Sequence, residues 1–499
     1  MRNRERTYLT AAMVLIAMAF FLAGCGGGGD DDDRVTTGGT DVPADGGGGG
    51  DTGDTGGTEP PPPALTTHED AFTNVLPNGY EGAHSCMVCH TDAGPELMGS
   101  AHWNWQGVAS NMQDHEGETH GKTDLINNFC IAIPSNEGRC TQCHAGIGWK
   151  DKSFDFGSYG AMDCLICHDT TGTYKKAPKT AGAPDPSVDL QLVAKNVGKP
   201  SRVNCGKCHF FAGGGDNVKH GDLSSHLIAP TKEMDVHMDA DGLNFACQRC
   251  HEESGHGIEG MPLHSTHEGS LDCTDCHGDK DVHAIDLIDN HMARLSCQAC
   301  HIPAIARSMP TKMEWYWDEA GQDVDPIPVD QYGMPLYNKL KGRFVWGMNV
   351  RPELKWFNGK WKRMAIGTND QYTSLPVNLA EPMGDISDPK AKLYPFKKMV
   401  GRQPADKNNQ TMLVPHLFGT GPGPNPFWGK FDWAKALEEG AAYAGQNYTG
   451  EFEFVDTVMY LRVSHEVAKK DDVLQCMDCH VGGIDFKALG YSDDPANRR

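Results

Sequence analysis

The sequence has almost no cysteine to spare. Of its 18 cysteines, 16 fall in eight copies of Cys-x-x-Cys-His, and Cys25 and Cys130 alone stand outside them. That distribution excludes a disulfide scaffold, the usual use of cysteine in an exported chain. A scaffold would not require a histidine after the second cysteine every time. Zinc is excluded as well, because zinc sites pair two half-motifs into one tetrahedral set. Positive charge is also scarce, with 44 Lys and Arg against 67 Asp and Glu and a formal net charge of −23. A chain of that sign lacks the cationic surface that nucleic acid requires, so no nucleic-acid partner is expected. Long apolar runs are missing too. The one candidate, Leu9 to Leu22, is short for a spanning helix and ends in small residues.

What is present are the eight motifs. They are Cys86-Cys89-His90, Cys140-Cys143-His144, Cys164-Cys167-His168, Cys205-Cys208-His209, Cys247-Cys250-His251, Cys273-Cys276-His277, Cys297-Cys300-His301 and Cys476-Cys479-His480. Each is the attachment signature of a c-type haem. The two thiols form thioethers to the porphyrin, and the histidine is placed under the iron as an axial ligand. The expected cofactor is therefore eight covalently bound haem c.

The start of the chain reads as an address. Arg2, Arg4 and Arg6 precede the apolar stretch, and Leu22-Ala23-Gly24-Cys25 follows it. This resembles a bacterial lipoprotein signal over residues 1–24, with Cys25 as the lipidated N-terminus. Its loss would leave a net charge of about −25. Residues 25–63 are Gly, Asp and Thr ending in Pro60 to Pro63, a composition that cannot bury a core and reads as a disordered tether. The expected location is the bacterial cell envelope, with the chain exported and tied to a membrane through lipid.

Motif starts are separated by 54, 24, 41, 42, 26, 24 and then 179 residues. Residues 64–310 therefore read as a seven-haem domain, with too little chain per haem for an ordinary apolar core. Residues 311–499 read as a C-terminal wrapping region carrying the eighth haem. The expected fold is a mainly α multihaem cytochrome c, helices and loops wrapped around a close-packed haem array. A small β-hairpin is expected in the C-terminal part, turning at Asn358-Gly359 between Trp356 and Trp361. Residues 370–430 read as loop. Asp432 to Ala444 and Phe454 to Lys470 read as helices. The aromatics of this region are expected to lie against porphyrin faces.

Fifteen of the 23 histidines lie outside the motifs and are available as second ligands. The candidates are His102, His237, His256, His264, His267, His283, His291, His416 and His465, several of them just before a motif or between two. His68, His84, His115 and His120 are weaker candidates, and His220 and His226 are undecided. The count leaves open whether every iron has two histidines or one iron keeps a free position.

Cys130 lies ten residues before Cys140, and every other thiol is committed to haem or lipid. It reads either as a small buried apolar residue or as a thiol beside an open iron.

Three stretches carry a specific resemblance: NNFCIAIPSNEGRCTQCHAGIGW from Asn127 to Trp149, GGGDNVKHGDL from Gly213 to Leu223, and LSCQACHIPAIAR from Leu295 to Arg307. With the motif number and the late eighth motif, they resemble the octahaem tetrathionate reductase family, itself related to multihaem nitrite reductases and hydroxylamine oxidoreductases. The resemblance covers residues 75 to 490. It implies that the second haem is catalytic, with His144 on one side of its iron, a lysine amine from a remote segment as the other ligand, and a cysteine beside it. Carried over, the cysteine is Cys130 and the lysine is Lys219. Lys150 is the rival by proximity to His144. Arg139 is a candidate for binding an anion.

The expected activity is that of an oxidoreductase. Bis-His haems would pass electrons to the Lys-ligated haem, which reduces small sulfur or nitrogen oxyanions, with tetrathionate, nitrite and hydroxylamine as the implied substrates. An envelope electron-donor protein or quinol-linked cytochrome is the expected partner, and a homo-oligomer is compatible. The competing expectation is an electron conduit with no substrate pocket, in which Cys130 and Lys219 have no role.

Overall fold

The computed structural model describes residues 67–260, 272–367, 370–419 and 421–497. The signal, the lipidation candidate Cys25, the tether over residues 25–63, His264 and His267 lie outside the described residues. Among the described residues no helix is long and apolar enough to cross a membrane.

The motif-bearing part is built from short helical pieces. Most motifs occupy a single turn, as in Cys273–His277 and Cys476–His480. One turn is what the chemistry needs, because residues three apart share a helix face. Both cysteines then point to the same side and the histidine follows immediately. The turn is closed by the histidine amide donating to the first cysteine's carbonyl, at 2.9 Å for His90 on Cys86 and 3.0 Å for His301 on Cys297.

The strands are more extensive than the sequence suggests. β1 (Gln106–Val108) and β2 (Thr119–Gly121) form one hairpin, and β3 (Glu253–Ser254) and β4 (Gly257–Ile258) a second. Then follow β5 (Thr311–Tyr316), β6 (Tyr337–Asn338), β7 (Gly342–Gly347), β8 (Glu353–Phe357), β9 (Trp361–Arg363), β10 (Val377–Pro382), β11 (Lys392–Asp406), β12 (Thr411–Met412) and β13 (Phe452–Arg462). These nine make one mixed sheet in the order β6-β7-β5-β11-β13-β10-β9, with β8 and β12 also paired to β11. β11 is its spine. It runs antiparallel to β13 from Phe396↔Arg462 to Asp406↔Phe452, and parallel to β5 at Val400↔Glu314.

The expectation of a mainly α fold is therefore corrected: short helices and a nine-stranded sheet share the molecule. The Asn358-Gly359 turn exists, with Gly359 at φ 94°. Its flanking strands do not form a hairpin, however. β8 pairs with β11, and β9 pairs with β10. The segment read as loop contains β10, β11 and β12, and the helix read over Phe454 to Lys470 is β13 followed by irregular chain. The helix at Trp433–Ala444 forms as expected, with the Asp432 side chain accepting from the Lys435 amide as its N-cap. The aromatics expected against porphyrin faces instead make an apolar core of their own. Trp315, Trp317, Phe344, Phe357, Trp361 and Phe396 are buried together, and Trp315 stacks on Trp317 with ring centroids 5.1 Å apart.

Candidate functional site

Among the described residues, seven of the eight motif histidines face a second histidine ring across a gap of constant width. The pairs are His90 with His68, His168 with His256, His209 with His102, His251 with His465, His277 with His237, His301 with His283 and His480 with His291. Their ring centroids are 6.0 to 6.3 Å apart. Two imidazole–metal bonds of roughly 2.0 Å each, laid end to end with the radii of both rings, span that same distance. The gap fits one iron between two imidazoles. Ring orientation agrees with this use, because many of these histidines anchor Nδ1 in the protein and leave Nε2 to face the partner. Nδ1 of His256 lies 2.9 Å from Glu96, that of His283 2.7 Å from Asp289, and that of His291 2.7 Å from the Leu287 carbonyl. Such anchoring fixes tautomer and direction together.

This places His102, His237, His256, His283, His291 and His465 opposite motif histidines. His68, read as weak, also stands there. His416 does not: its Nδ1 lies 2.8 Å from Glu439 and its Nε2 3.1 Å from the Phe418 carbonyl, so both ring nitrogens are engaged. His416 as a second ligand is a reading the geometry corrects. His115 and His120 lie together among carboxylates.

His144 is the motif histidine with a different environment. It is buried in a box of rings, with Trp103 and Trp149 at 4.9 Å, Trp105 and Phe154 at 5.5 Å and Phe156 at 6.0 Å. Burial pushes its pKa down to about 3, so it is a neutral base at physiological pH. Nε2 approaches the Trp103 carbonyl at 2.7 Å. Nδ1 is buried with no hydrogen-bond partner among the described residues. A buried ring nitrogen left this way costs about 1–3 kcal/mol.

Lys219 reaches this region from far along the chain. Burial lowers its pKa to about 7, helped by the charges of Lys122 and Arg363 and opposed by the Cys143 thiol of the second motif. Its Nζ lies 5.7 Å from the Phe129 ring centroid, next to Cys130. Lys122 Nζ sits 3.6 Å above the Trp105 ring, and Arg363 is buried, its pKa pushed down to about 10. Three cationic side chains thus gather beside the second motif. Lys150 is exposed. Arg139 lies over the Trp428 ring at 4.9 Å and the Phe418 ring at 5.4 Å, which gives its guanidinium a packing role.

The sheet holds both remote segments. Asn128 is buried: its Nδ2 donates to the Met399 carbonyl at 2.7 Å, and its Oδ1 accepts from Gln403 at 2.7 Å and from Thr457 at 2.6 Å. Asn127 Oδ1 accepts from the Cys130 amide at 2.9 Å, and Ile131 then takes φ 64°, a conformation that β-branched residues rarely adopt. The Lys219 loop is held from β11. Lys397 Nζ donates to the carbonyls of Val218 (2.7 Å) and Lys219 (3.0 Å) and to Thr311 Oγ1 (2.6 Å). Gly213, at φ 80°, lets the backbone pass: a Cβ there would come 3.2 Å from the Lys219 Cβ. Three residues on, Asp222 accepts from the His465 amide at 3.0 Å and so steadies another motif's second histidine. Lys122, Arg363 and Lys397 escaped the sequence reading because none belongs to a motif. Lys122 lies close to Asn127 in the chain, but Arg363 and Lys397 arrive only through the sheet.

The motif thiols give neighbours within the array. Cys86 and Cys164 are within hydrogen-bonding reach, as are Cys143 and Cys208, Cys205 and Cys247, and Cys273 and Cys297. Thiol proximity thus pairs the first motif with the third, the second with the fourth, the fourth with the fifth and the sixth with the seventh.

Comparison with known proteins agrees. The family model described as "Cytochrome c bacterial" matches residues 312–483. An uncharacterized protein of Archaeoglobus fulgidus is 25% identical over 228 residues, 36% of this chain and 75% of its own. The crystal structure of an octaheme cytochrome c from Shewanella oneidensis superposes with a TM-score of 0.79 at 42% identity, covering 86% of this chain and 98% of that one. With eight attachment motifs, seven iron-wide histidine gaps and this likeness over nearly the whole of a solved relative, the chain belongs to the octahaem cytochromes c and carries covalently bound haem c.

Proposed function

We propose that this multihaem redox protein is a reductase whose reaction centre is the second motif, with His144 on one side and Lys219 as the other ligand, and that the seven histidine-paired motifs relay electrons to it. The observation that carries this is the single departure from the pairing rule: His144 has an aromatic box where every other motif histidine has an imidazole partner. Haem bound there supplies a redox-active metal able to hold a small oxidised molecule. The chain supplies the rest. Burial leaves a large share of the Lys219 amines unprotonated near neutral pH, the form with a lone pair to donate. Lys122 and Arg363 place positive charge where an anion would arrive. The aromatic box keeps water from the His144 side. Tetrathionate, nitrite and hydroxylamine are the substrates this reading favours, with Cys130 as the thiol at the edge of the site. An envelope electron donor, export, and a lipid anchor at Cys25 complete it.

The test is low-temperature electron paramagnetic resonance of the oxidised protein with and without nitrite. A ligand-sensitive signal from one haem in the eight is expected. Lys219→Ala should abolish turnover while all eight haems stay attached. Eight signals indifferent to every ligand would instead establish the conduit reading.

A further inference from the structure

The loop between β1 and β2 holds a group of side chains that the haem site does not use. The group spans the end of the loop, His115-Glu116-Gly117-Glu118, and the first two residues of β2, Thr119 and His120. His115 Nδ1 and His120 Nε2 both point at one atom, Glu118 Oε2, each at 2.9 Å. The three ligand atoms lie within 4.8 Å of one another. The far nitrogen of each ring meets a second carboxylate: His120 Nδ1 is 2.7 Å from Asp124 Oδ2, and His115 Nε2 is 3.3 Å from Asp370 Oδ2. Asp124 is itself fixed, since its other oxygen accepts from the Gly121 amide at 2.8 Å.

Proton counting shows what this arrangement lacks. Both nitrogens of His120 and Nδ1 of His115 meet carboxylate oxygens, and a neutral imidazole carries a hydrogen on only one nitrogen. Filling these contacts with N–H donors requires a cationic His120 ring, its centroid 5.2 Å from that of His115. A divalent cation resolves the arrangement with neutral rings. It takes the two inner nitrogens and the Glu118 carboxylate, and the outer N–H of His120 donates to Asp124. Metal-bound histidines typically have this outer carboxylate.

We infer that His115, Glu118 and His120 form a binding site for a zinc-class divalent cation, with Asp124 as the outer carboxylate that orients the His120 ring. Two nitrogens and one oxygen with a further position open to solvent is a ligand set zinc accepts. The site clips the hairpin loop to the sheet, since the Gln113 amide donates to the Trp361 carbonyl and the Trp361 amide to that of Asn111, both at 2.8 Å. It also fixes the chain two residues before Lys122, the cation over Trp105.

The experiment uses the haem-loaded protein, stripped with a chelator, given one equivalent of zinc and desalted, with zinc and iron counted by mass spectrometry. The eight motifs make iron an internal standard. One zinc per eight irons is expected in the parent protein. Glu118→Gln, close to isosteric, should lose zinc at the same iron count, and Asp124→Asn should weaken binding by roughly 10–100-fold. A parent protein that retains no zinc overturns the site, and so does a Glu118→Gln protein that retains it fully. The iron count shows in each case that the variant has folded and matured.

Discussion

His68 and His416 carry the same ring into opposite situations. His68 opens the first described helix, His68–Asn74, whose Thr67 N-cap accepts from the Asp70 amide at 3.1 Å. It ends 6.1 Å from His90. His416 is fully buried, and both of its nitrogens are engaged by Glu439 and the Phe418 carbonyl. A ring with no nitrogen left over cannot ligate a metal without first losing a buried hydrogen bond, worth about 1–3 kcal/mol to leave unmade. His68→Ala should therefore convert one low-spin haem to a high-spin, ligand-accessible one, visible as a second ligand-sensitive resonance signal. His416→Ala should leave all haem signals in place and lower the melting temperature by several degrees. A new high-spin haem in His416→Ala, or none in His68→Ala, would reverse the assignment. Most of the second histidines could be read from the sequence as candidates, but not their pairing: His68 and His283 face the motif that follows them, whereas His102, His237, His256, His291 and His465 each face another motif. His68 stood hidden beside a low-complexity segment, and its clue was the Thr67-x-x-Asp70 pattern that starts a helix.

At the level of elements, β11 explains both what was legible and what was not. It carries Pro395, Gly401 and Pro404, and proline inside a run argues against a central strand. The strand nonetheless pairs with β13, β5 and β8 along its length, because tertiary pairing overrides local preference. β13 misled in the opposite direction. Apolar residues at Phe454, Val455, Val458 and Leu461 fit a helical spacing, but the chain is an interior strand whose β-branched and aromatic residues pack on both sides. What the missed sheet provides is Lys397. Burial pushes its pKa to about 7, and its three acceptors hold the Val218–Lys219 backbone. Lys397→Met keeps the stem and removes the donors, leaving two buried carbonyls less well satisfied, at a cost of about 1–3 kcal/mol each. The variant is expected to keep eight haems and to shift the spectrum of the ligand-sensitive haem alone. A lower melting temperature with that spectrum unchanged would make Lys397 a packing residue and remove its positioning role.

Across the whole molecule, the order of the motifs in space differs from their order in the chain, and this difference organises function. Cys143 of the second motif reaches Cys208 of the fourth, and Cys205 of the fourth reaches Cys247 of the fifth. The second and fifth motifs thus both adjoin the fourth, and these thiol contacts draw the proposed reaction centre as a branch from it. The intervals between motifs show only that neighbours in sequence are close, so the branch was not readable from spacing: the second and third motifs start 24 residues apart, yet the third joins the first and the second joins the fourth by thiol contact. A branch makes a demand that a line does not: electrons that reach His144 through the fourth motif pass the pair His209–His102. Replacing an imidazole by a thioether raises the potential of such a centre, so His102→Met should turn the fourth position into a trap. Rapid mixing with a reductant should then show the ligand-sensitive haem reduced several-fold more slowly than in the parent protein, while the first and third positions keep their rates. If the ligand-sensitive haem is reduced at the parental rate in His102→Met, the second motif has another neighbour, and the branch drawn from the thiol contacts is wrong.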